Sequence, residues 1–303
     1  MPGLEAPVLV IGEALVEIMA DTPGEGFPGP IALTGPYPSG APAIFADQLA
    51  RLGRPVAFAG GVGADDFGRL LRARLAGDGV DVTGLAEHPD RPTGTAFVRY
   101  RPDGARDFVF NIAHAAAGFP PEGVGARAGA RARHLHVMGS SLAIPRLAAG
   151  IEAAARAVRA GGGTISFDPN IRKELMTDGA RAAHARLLAM SDLYLPGEAE
   201  LDVAPGDLLA AGRALVVVKR GAAGAVVHGP EGVIEAPALA VEAVDPTGAG
   251  DCFDAAFVDA WLAGWPHGRA LVLALAAGAA AAAARGPMEG AARRDALIAR
   301  AGL

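Results

Sequence analysis

The chain has 303 residues, 51% of them hydrophobic, enough for about two domains by length and for a core that needs no disulfide or structural metal. The single Cys252 removes any intramolecular disulfide, and a net charge of −6 argues against a broad phosphate-tracking surface, so no nucleic-acid partner is expected. The 42 glycines and 23 prolines stay below the roughly 25–30% that marks low-complexity chains.

The N-terminal stretch carries Glu5, Glu13 and Glu17 and no basic region, so it does not read as a secretory signal and a cytoplasmic protein is expected. Short aliphatic runs at 8–11, 56–59, 135–138, 164–167, 193–195 and 214–218 read as buried strands. Between them, 47–52, 67–75, 151–159 and 180–190 have apolar positions at helical spacing. This alternation predicts right-handed βαβ units on a mostly parallel sheet, hence an α/β fold of the doubly wound kind. Two segments break the rhythm, about 13–36 and 91–112. Within the second, 95–101 and 106–110 alternate around Pro102-Asp103-Gly104, a hairpin signal. They predict a small β layer, either a lid over a ligand site beyond the carboxyl ends of the strands or a surface hairpin without function. His134 and His136 share a strand face but have no third ligand at a metal spacing, and they read as ordinary strand-end histidines. The apolar run 270–284 is too short to span a bilayer and reads as a buried helix, so no membrane partner is expected.

The sharpest chemical feature is Val244-Asp245-Pro246-Thr247-Gly248-Ala249-Gly250-Asp251, followed by Phe253, Ala256, Phe257, Ala260 and Trp261 on one helical face. Glycines at a helix start expose backbone N–H groups and add the positive helix end, making an anion hole. Asp251 is a carboxylate where phosphate should go, and it would repel phosphate unless it accepts a proton from an attacking hydroxyl. A plain helix cap is the competing reading. No P-loop run, no dinucleotide fingerprint after the first strand and no nucleophile elbow around Ser141 occur.

This segment resembles the C-terminal signature of the PfkB, or ribokinase-like, family of carbohydrate kinases. Ser39-Gly40-Ala41-Pro42-Ala43, the glycine-rich turn at 60–68 before the next helix, Asp168-Pro169-Asn170-Ile171-Arg172 and Val218-Lys219-Arg220-Gly221-Ala222-Ala223-Gly224 resemble further family motifs in the same order, over about residues 8–290. The resemblance implies a ribokinase-like three-layer α/β/α sandwich, one kinase domain over 1–303, with a lid from 13–36 and 91–112. It implies ATP-dependent phosphorylation of a sugar hydroxyl, with Asp251 as general base and the N–H groups of Gly248, Ala249 and Gly250 stabilising the moving phosphoryl group. Asn170, Arg172, Lys219, Gly221, Gly224 and Thr247 fall at nucleotide positions. Glu200, in Gly197-Glu198-Ala199-Glu200, resembles the family's Asn-x-x-Glu Mg²⁺ contact with Gly197 in place of Asn; an exposed acid opening a helix is its alternative. A monovalent cation such as K⁺ near Asp245 is a further expectation.

On the acceptor side, Glu13, Glu17, Gly40, Ala41, Ile44, Arg99 and Asn111 are the candidates, with Arg101 beside them on the lid. Ile44 stands where the family usually has Asn, so a hydroxyl partner is replaced by an apolar edge or by neighbouring polar groups. Gly12-Glu13-Ala14-Leu15-Val16-Glu17 resembles members acting on fructose, tagatose or 2-keto-3-deoxygluconate, which predicts a ketose or a keto-deoxy sugar acid as substrate. A nucleoside kinase of the same fold and a non-catalytic sugar-binding relative are the alternatives. Pairing of exposed lid edges would give a homodimer.

Overall fold

The structure, a computed structural model, describes residues 7–303. Strand β1 (Val8–Ile11) leads into β2 (Leu15–Ala20) and β3 (Leu33–Ser39), then α1 (Ala41–Arg51), β4 (Val56–Gly63), α2 (Asp66–Gly77) and β5 (Asp81–His88). The hairpin of β6 (Gly94–Tyr100) and β7 (Arg106–Asn111) precedes α3 (Val124–Gly129), β8 (His134–Met138), α4 (Pro145–Ala160), β9 (Thr164–Asp168), α5 (Asp178–Met190) and β10 (Leu193–Tyr194). Then come α6 (Pro205–Ala210), β11 (Leu215–Lys219), β12 (Ala225–Gly229), β13 (Gly232–Ala236), α7 (Ala249–Leu262), α8 (His267–Ala282) and α9 (Arg294–Ala301).

The large sheet runs β13-β12-β11-β10-β9-β8-β1-β4-β5, and the small one β3-β2-β6-β7. From β11 to β5 all neighbours are parallel, while β12 and β13 form an antiparallel edge. Consecutive strand residues face opposite ways, so buried runs feed two cores. Val8 and Val10 pack into the layer of Phe45, Phe257 and Leu271. Leu9 and Ile11 enter the layer of Leu147, Ile151 and Leu187. The result is the ribokinase-like α/β/α sandwich expected from the motifs, with a small separate sheet.

Several elements differ from the sequence reading, each for a local reason. Helix α1 starts at Ala41, well ahead of 47, because Gly40 is its N-cap and Pro42 sits in the first turn, where a missing N–H costs nothing. The glycines at 60–63 are not a turn: β4 continues through them, pairing Gly60 with Leu85 and Gly61 with Ala86. A Cβ at Gly61 would stand 2.2 Å from the Ala116 carbonyl oxygen, so close backbone approach explains that glycine. Strands β5, β12 and β13 were not foreseen, and β3 carries the first small-sheet stretch on to Ser39.

His134 and His136 are buried in β8, bonded to Ser166 and, for His134, Thr164, and the Phe45 ring stacks on His136 at 3.6 Å. Burial drives His134 down to about 3 and His136 well below its ordinary value, so both are neutral core groups. Among the described residues no cluster of three metal-ligating side chains occurs, and no helix is long and apolar enough to cross a membrane.

Candidate active site

Parallel strands deliver their carboxyl ends to one edge of the large sheet, and chain leaving those ends carries the polar residues. Glu13 follows β1, Ser140 follows β8, Asn170 and Arg172 follow β9, and Lys219 ends β11. The small sheet stands over this edge. Between them lies a cavity of about 50 Å³, lined by Glu13, Glu17, Ser39, Ile44, Arg106, Phe108, Phe110, Asn170, Arg172, Gly248 and Asp251, among others. Arg106, Phe108 and Phe110 alternate along β7, which puts all three on the cavity face.

Asp251 lies in the first turn of α7, whose N-cap is Gly248 at φ 78°. That conformation needs glycine, and a Cβ there would also stand 2.3 Å from the Pro287 carbonyl oxygen. Among the described residues the Asp251 carboxylate caps no backbone N–H; its partner there is Asn170, whose Nδ2 donates to Oδ1 at 3.3 Å. The capping alternative therefore lacks its hydrogen bond. Burial, reinforced by the Asp168 carboxylate, raises the Asp251 pKa from 3.8 to about 7, against the opposing pull of Arg172, Lys219 and Arg106. A buried acid poised near neutrality can take a proton as charge develops on an oxygen beside it.

The expected row of three free N–H donors needs one correction. Ala249 N–H donates to the Pro246 carbonyl at 3.2 Å, closing the turn. The N–H groups of Gly248 and Gly250 have no acceptor within hydrogen-bonding distance among the described residues. They remain available to an anion at the helix start.

Beneath this loop, Lys219 Nζ donates to Asp168 Oδ2 at 2.9 Å and to both oxygens of Asp254 at 2.8 and 3.1 Å. Burial works against the charge on Lys219, but the two carboxylates overrule it and its pKa rises. Burial also tends to raise Asp168, yet Lys219 holds it below the ordinary carboxylate range, while burial pushes Asp254 up. Lys219 is thus engaged with two protein carboxylates. Thr247 is similarly committed: its hydroxyl meets Tyr100 Oη at 2.6 Å. Asp245 accepts from Tyr100 Oη, Thr247 N and Gly286 N, so neither of its oxygens is bare.

On the acceptor side Ser140 and Ser141 donate to the two oxygens of Glu13 at 2.7 and 2.5 Å. Ser39 donates to Glu17 Oε2 at 3.0 Å, and Glu17 Oε1 is buried with no partner. Burial raises both acids, Glu17 to about 7. The Asn170 side-chain oxygen is also buried and unpartnered. Such atoms in a cavity wall are costly unless something fills the cavity and bonds to them.

Gly40, Ala41 and Ile44 line this wall, with Ile44 as its apolar patch beside Gly248. Arg99 and Asn111 do not reach it. Arg99 donates to the carbonyls of Thr22, Pro23 and Gly26, bracing the loop after β2, and Arg101 pairs with Asp107 at the exposed hairpin end. Asn111 donates to Thr95 Oγ1 and lines a separate open groove of about 830 Å³ with Asp65, Phe67 and His114. Gly221, at φ 55°, forms an exposed corner after β11, and Gly224 closes that turn into β12. Glu200 is no exposed acid: Ile171 N and Gly197 N donate to its two oxygens at 2.6 and 2.8 Å, and burial raises its pKa. Each oxygen keeps a second lone-pair direction, so the carboxylate fits contact with a hydrated cation.

The sequence reading missed Ser39, Ser140, Arg106, Phe108, Phe110, Asp168 and Asp254. Arg106 and Arg172 both line the cavity, and neither forms an ion pair among the described residues.

A family model described as pfkB family carbohydrate kinase matches residues 6–293. The chain is 34% identical to a fructokinase from Klebsiella pneumoniae, over 94% of this chain and 96% of that one. It is 31% identical to a 2-dehydro-3-deoxygluconokinase from Thermoproteus tenax, over 93% and 90% of the two chains. Among solved structures, a putative ribokinase II from Escherichia coli in complex with ATP and Mg²⁺ superposes with a TM-score of 0.88 at 42% identity, covering 97% of this chain and 98% of that one.

Proposed function

The chain belongs to the pfkB family of carbohydrate kinases, and on that premise we propose that it phosphorylates a hydroxyl of a small keto sugar or keto-deoxy sugar acid, with Asp251 as general base. The observation that carries this reading is the buried Asp251 carboxylate, lifted to about 7 and facing a cavity walled by unpartnered polar atoms. Bound Mg-ATP supplies the phosphoryl group and the cation that neutralises its oxygens.

The protein residues divide the remaining work. Asp251 takes the proton of the acceptor hydroxyl as the new bond forms. The free N–H groups of Gly248 and Gly250 at the start of α7 hold the transferring oxygens, each donor contributing roughly 3–4 kcal/mol in sites of this type. Glu200 would hold the hydrated cation, and the exposed corner at Gly221 would leave room for the nucleotide. Glu17 Oε1 and the Asn170 oxygen accept from acceptor hydroxyls. Those pairings take over from the Asn that Ile44 replaces. The small sheet acts as the lid of a single kinase unit, excluding water from the transfer.

The guanidiniums of Arg106 and Arg172, which form no ion pair among the described residues, favour an anionic acceptor over a neutral ketose, because a guanidinium binds a carboxylate through paired charge-assisted bonds. The 2-dehydro-3-deoxygluconokinase relative agrees with that choice. Val109, exposed on the β7 edge, makes a homodimer through the small sheets the expected assembly, which light scattering checks.

The test is a turnover screen with Mg-ATP, with and without K⁺, over fructose, tagatose, ribose, 2-keto-3-deoxygluconate and nucleosides. Turnover of a sugar, abolished in Asp251→Asn, supports the reading. No turnover on any sugar, or full activity of Asp251→Asn, overturns it. Arg106→Met separates the acceptors: it should reduce kcat/KM on the acid about tenfold or more while sparing a neutral ketose, in line with the loss of one hydrogen bond to a charged group.

A further inference from the structure

We propose that Lys219 and Asp254 act as one positioning unit, which holds Asp168, and through it Asn170, so that the Asn170 amide is aimed at the Asp251 carboxylate. This rests on Asp251 being the base.

The chain of contacts is continuous. All three donors of Lys219 are directed at carboxylate oxygens, one on Asp168 and two on Asp254. Asp168, fixed from that side, uses its other oxygen to accept Asn170 N–H at 2.9 Å. Asn170 then adopts φ 41°, a left-handed conformation that non-glycine residues seldom take without such a tether. Its Nδ2 lies 3.4 Å from Asp168 Oδ2 and 3.3 Å from Asp251 Oδ1. Placing the NH₂ group between two carboxylates decides the orientation of the amide, and its oxygen is left facing the cavity without a partner.

Stability alone is a poor account of this arrangement. A buried ion pair gives little net stabilisation over apolar groups of the same size. Its value here is geometric: Asp254 lies one helical turn beyond Asp251 on α7, so Lys219 ties the base's own helix to the β9 end that carries Asn170. The groups facing Asp251 are Asp168, Asn170 and Arg172 from the β9 end, Lys219 from β11 and Arg106 from β7. Lys219 is the cation that the clamp keeps in place among them.

The experiment compares Lys219→Met, Asp254→Leu and the double variant. Each single change should lower kcat about 10²-fold, the scale of a small misplacement of reacting groups, with KM for ATP and for the sugar changed less than about threefold. The double variant, which leaves the buried Asp168 carboxylate without its cation, should melt no higher than Lys219→Met and turn over no faster than the slower single variant. The acidic limb of the kcat profile should move to higher pH in Lys219→Met, because a cation that favours ionised Asp251 is gone. Wild-type kcat in the double variant, or a loss confined to KM for ATP, overturns the proposal; the latter would make Lys219 a nucleotide contact. Crystal structures of the three variants give a readout that needs no turnover: Asn170 should leave Asp251, and an unmoved Asn170 also overturns it. Failure of the wild-type protein to phosphorylate any sugar would sink Asp251 as base, while the crystal structures would still decide whether the clamp positions Asn170.

Discussion

Replacing Asp251 by Asn should stabilise the protein while abolishing its turnover, and the stabilisation should depend on pH. The Asp251 carboxyl has a pKa of about 7 in the fold against 3.8 for the free side chain, chiefly through burial and then Asp168. Between those values the folded protein holds a proton that the unfolded chain has released. The contribution of Asp251 to stability therefore falls as pH rises from about 4 to about 7, and stays low above that. At about 1.36 kcal/mol per pKa unit, the penalty is on the order of 4 kcal/mol at pH 8 and roughly 1–2 kcal/mol at pH 5. An amide of the same shape has no proton to lose, so the advantage of Asp251→Asn over the wild type should grow by roughly 2–3 kcal/mol between pH 5 and pH 8. Glu17 and Asp47, also raised to about 7 by burial, titrate in both proteins and cancel in the difference. Guanidinium unfolding at the two pH values, followed through Trp261 and Trp265, measures it. An advantage equal at both pH values would refute the argument, because it would mean that Asp251 is not held protonated by its surroundings.

The same acid should set the acidic limb of kcat/KM near pH 7, since a protonated Asp251 cannot accept the hydroxyl proton; a limb near pH 4 in the free enzyme would contradict the raised value. Glu17→Gln should raise KM for the sugar about 10-fold to 100-fold with little change in KM for ATP, as removal of a charged hydrogen-bond acceptor costs about 1.5–3 kcal/mol; steady-state kinetics in both substrates reads this out. Gly248→Ala places a Cβ against the Pro287 carbonyl at positive φ, and should lose about 1–3 kcal/mol of stability together with most of kcat, read by denaturation and turnover. Tyr100→Phe removes a donor to the buried Asp245 and should cost about 1.5–3 kcal/mol by the same denaturation measurement.

The large sheet could be read from the sequence because its central strands are buried on both faces: β1 and most of β11 are unbroken aliphatic runs, β8 keeps an apolar majority broken by His136, and β9 sets Ile165 and Phe167 around Ser166. Strands β5 and β13 are half exposed at the sheet edges and show no such run, so they escaped. Glu13, Glu17, Ile44, Asn170, Arg172 and Asp251 could be placed together because motifs at strand ends and helix starts carry them. Alternation along 95–101 and 106–110 predicts two strands but does not say which face of the hairpin meets the cavity, so Arg106, Phe108 and Phe110 carry no signal that sets them above Arg99 and Asn111. Asp254 had a usable signal, standing three residues after Asp251 and hence on the same helix face. Its partner Lys219 came from a strand more than thirty residues earlier, and only the fold brings them together.

The small sheet and the helix-start loop are joined through one carboxylate, and this limits how the site can open. Asp245 holds Tyr100 of β6 by one oxygen at 2.6 Å, Thr247 N by the same oxygen at 3.0 Å, and Gly286 N by the other at 3.0 Å. Burial raises the Asp245 pKa, but these donors more than offset that and leave it below its ordinary value. Displacing the small sheet breaks the Tyr100 bond and leaves a buried anion one donor short, in the segment that aims the N–H groups of Gly248 and Gly250. Under the proposed function, closure of the small sheet over a sugar and ordering of the helix-start loop would share a free-energy cost, about that of one charge-assisted hydrogen bond. A ligand that completed either half would then make the other easier to form, so sugar and nucleotide should bind with positive coupling, which titration of each in the presence of the other checks.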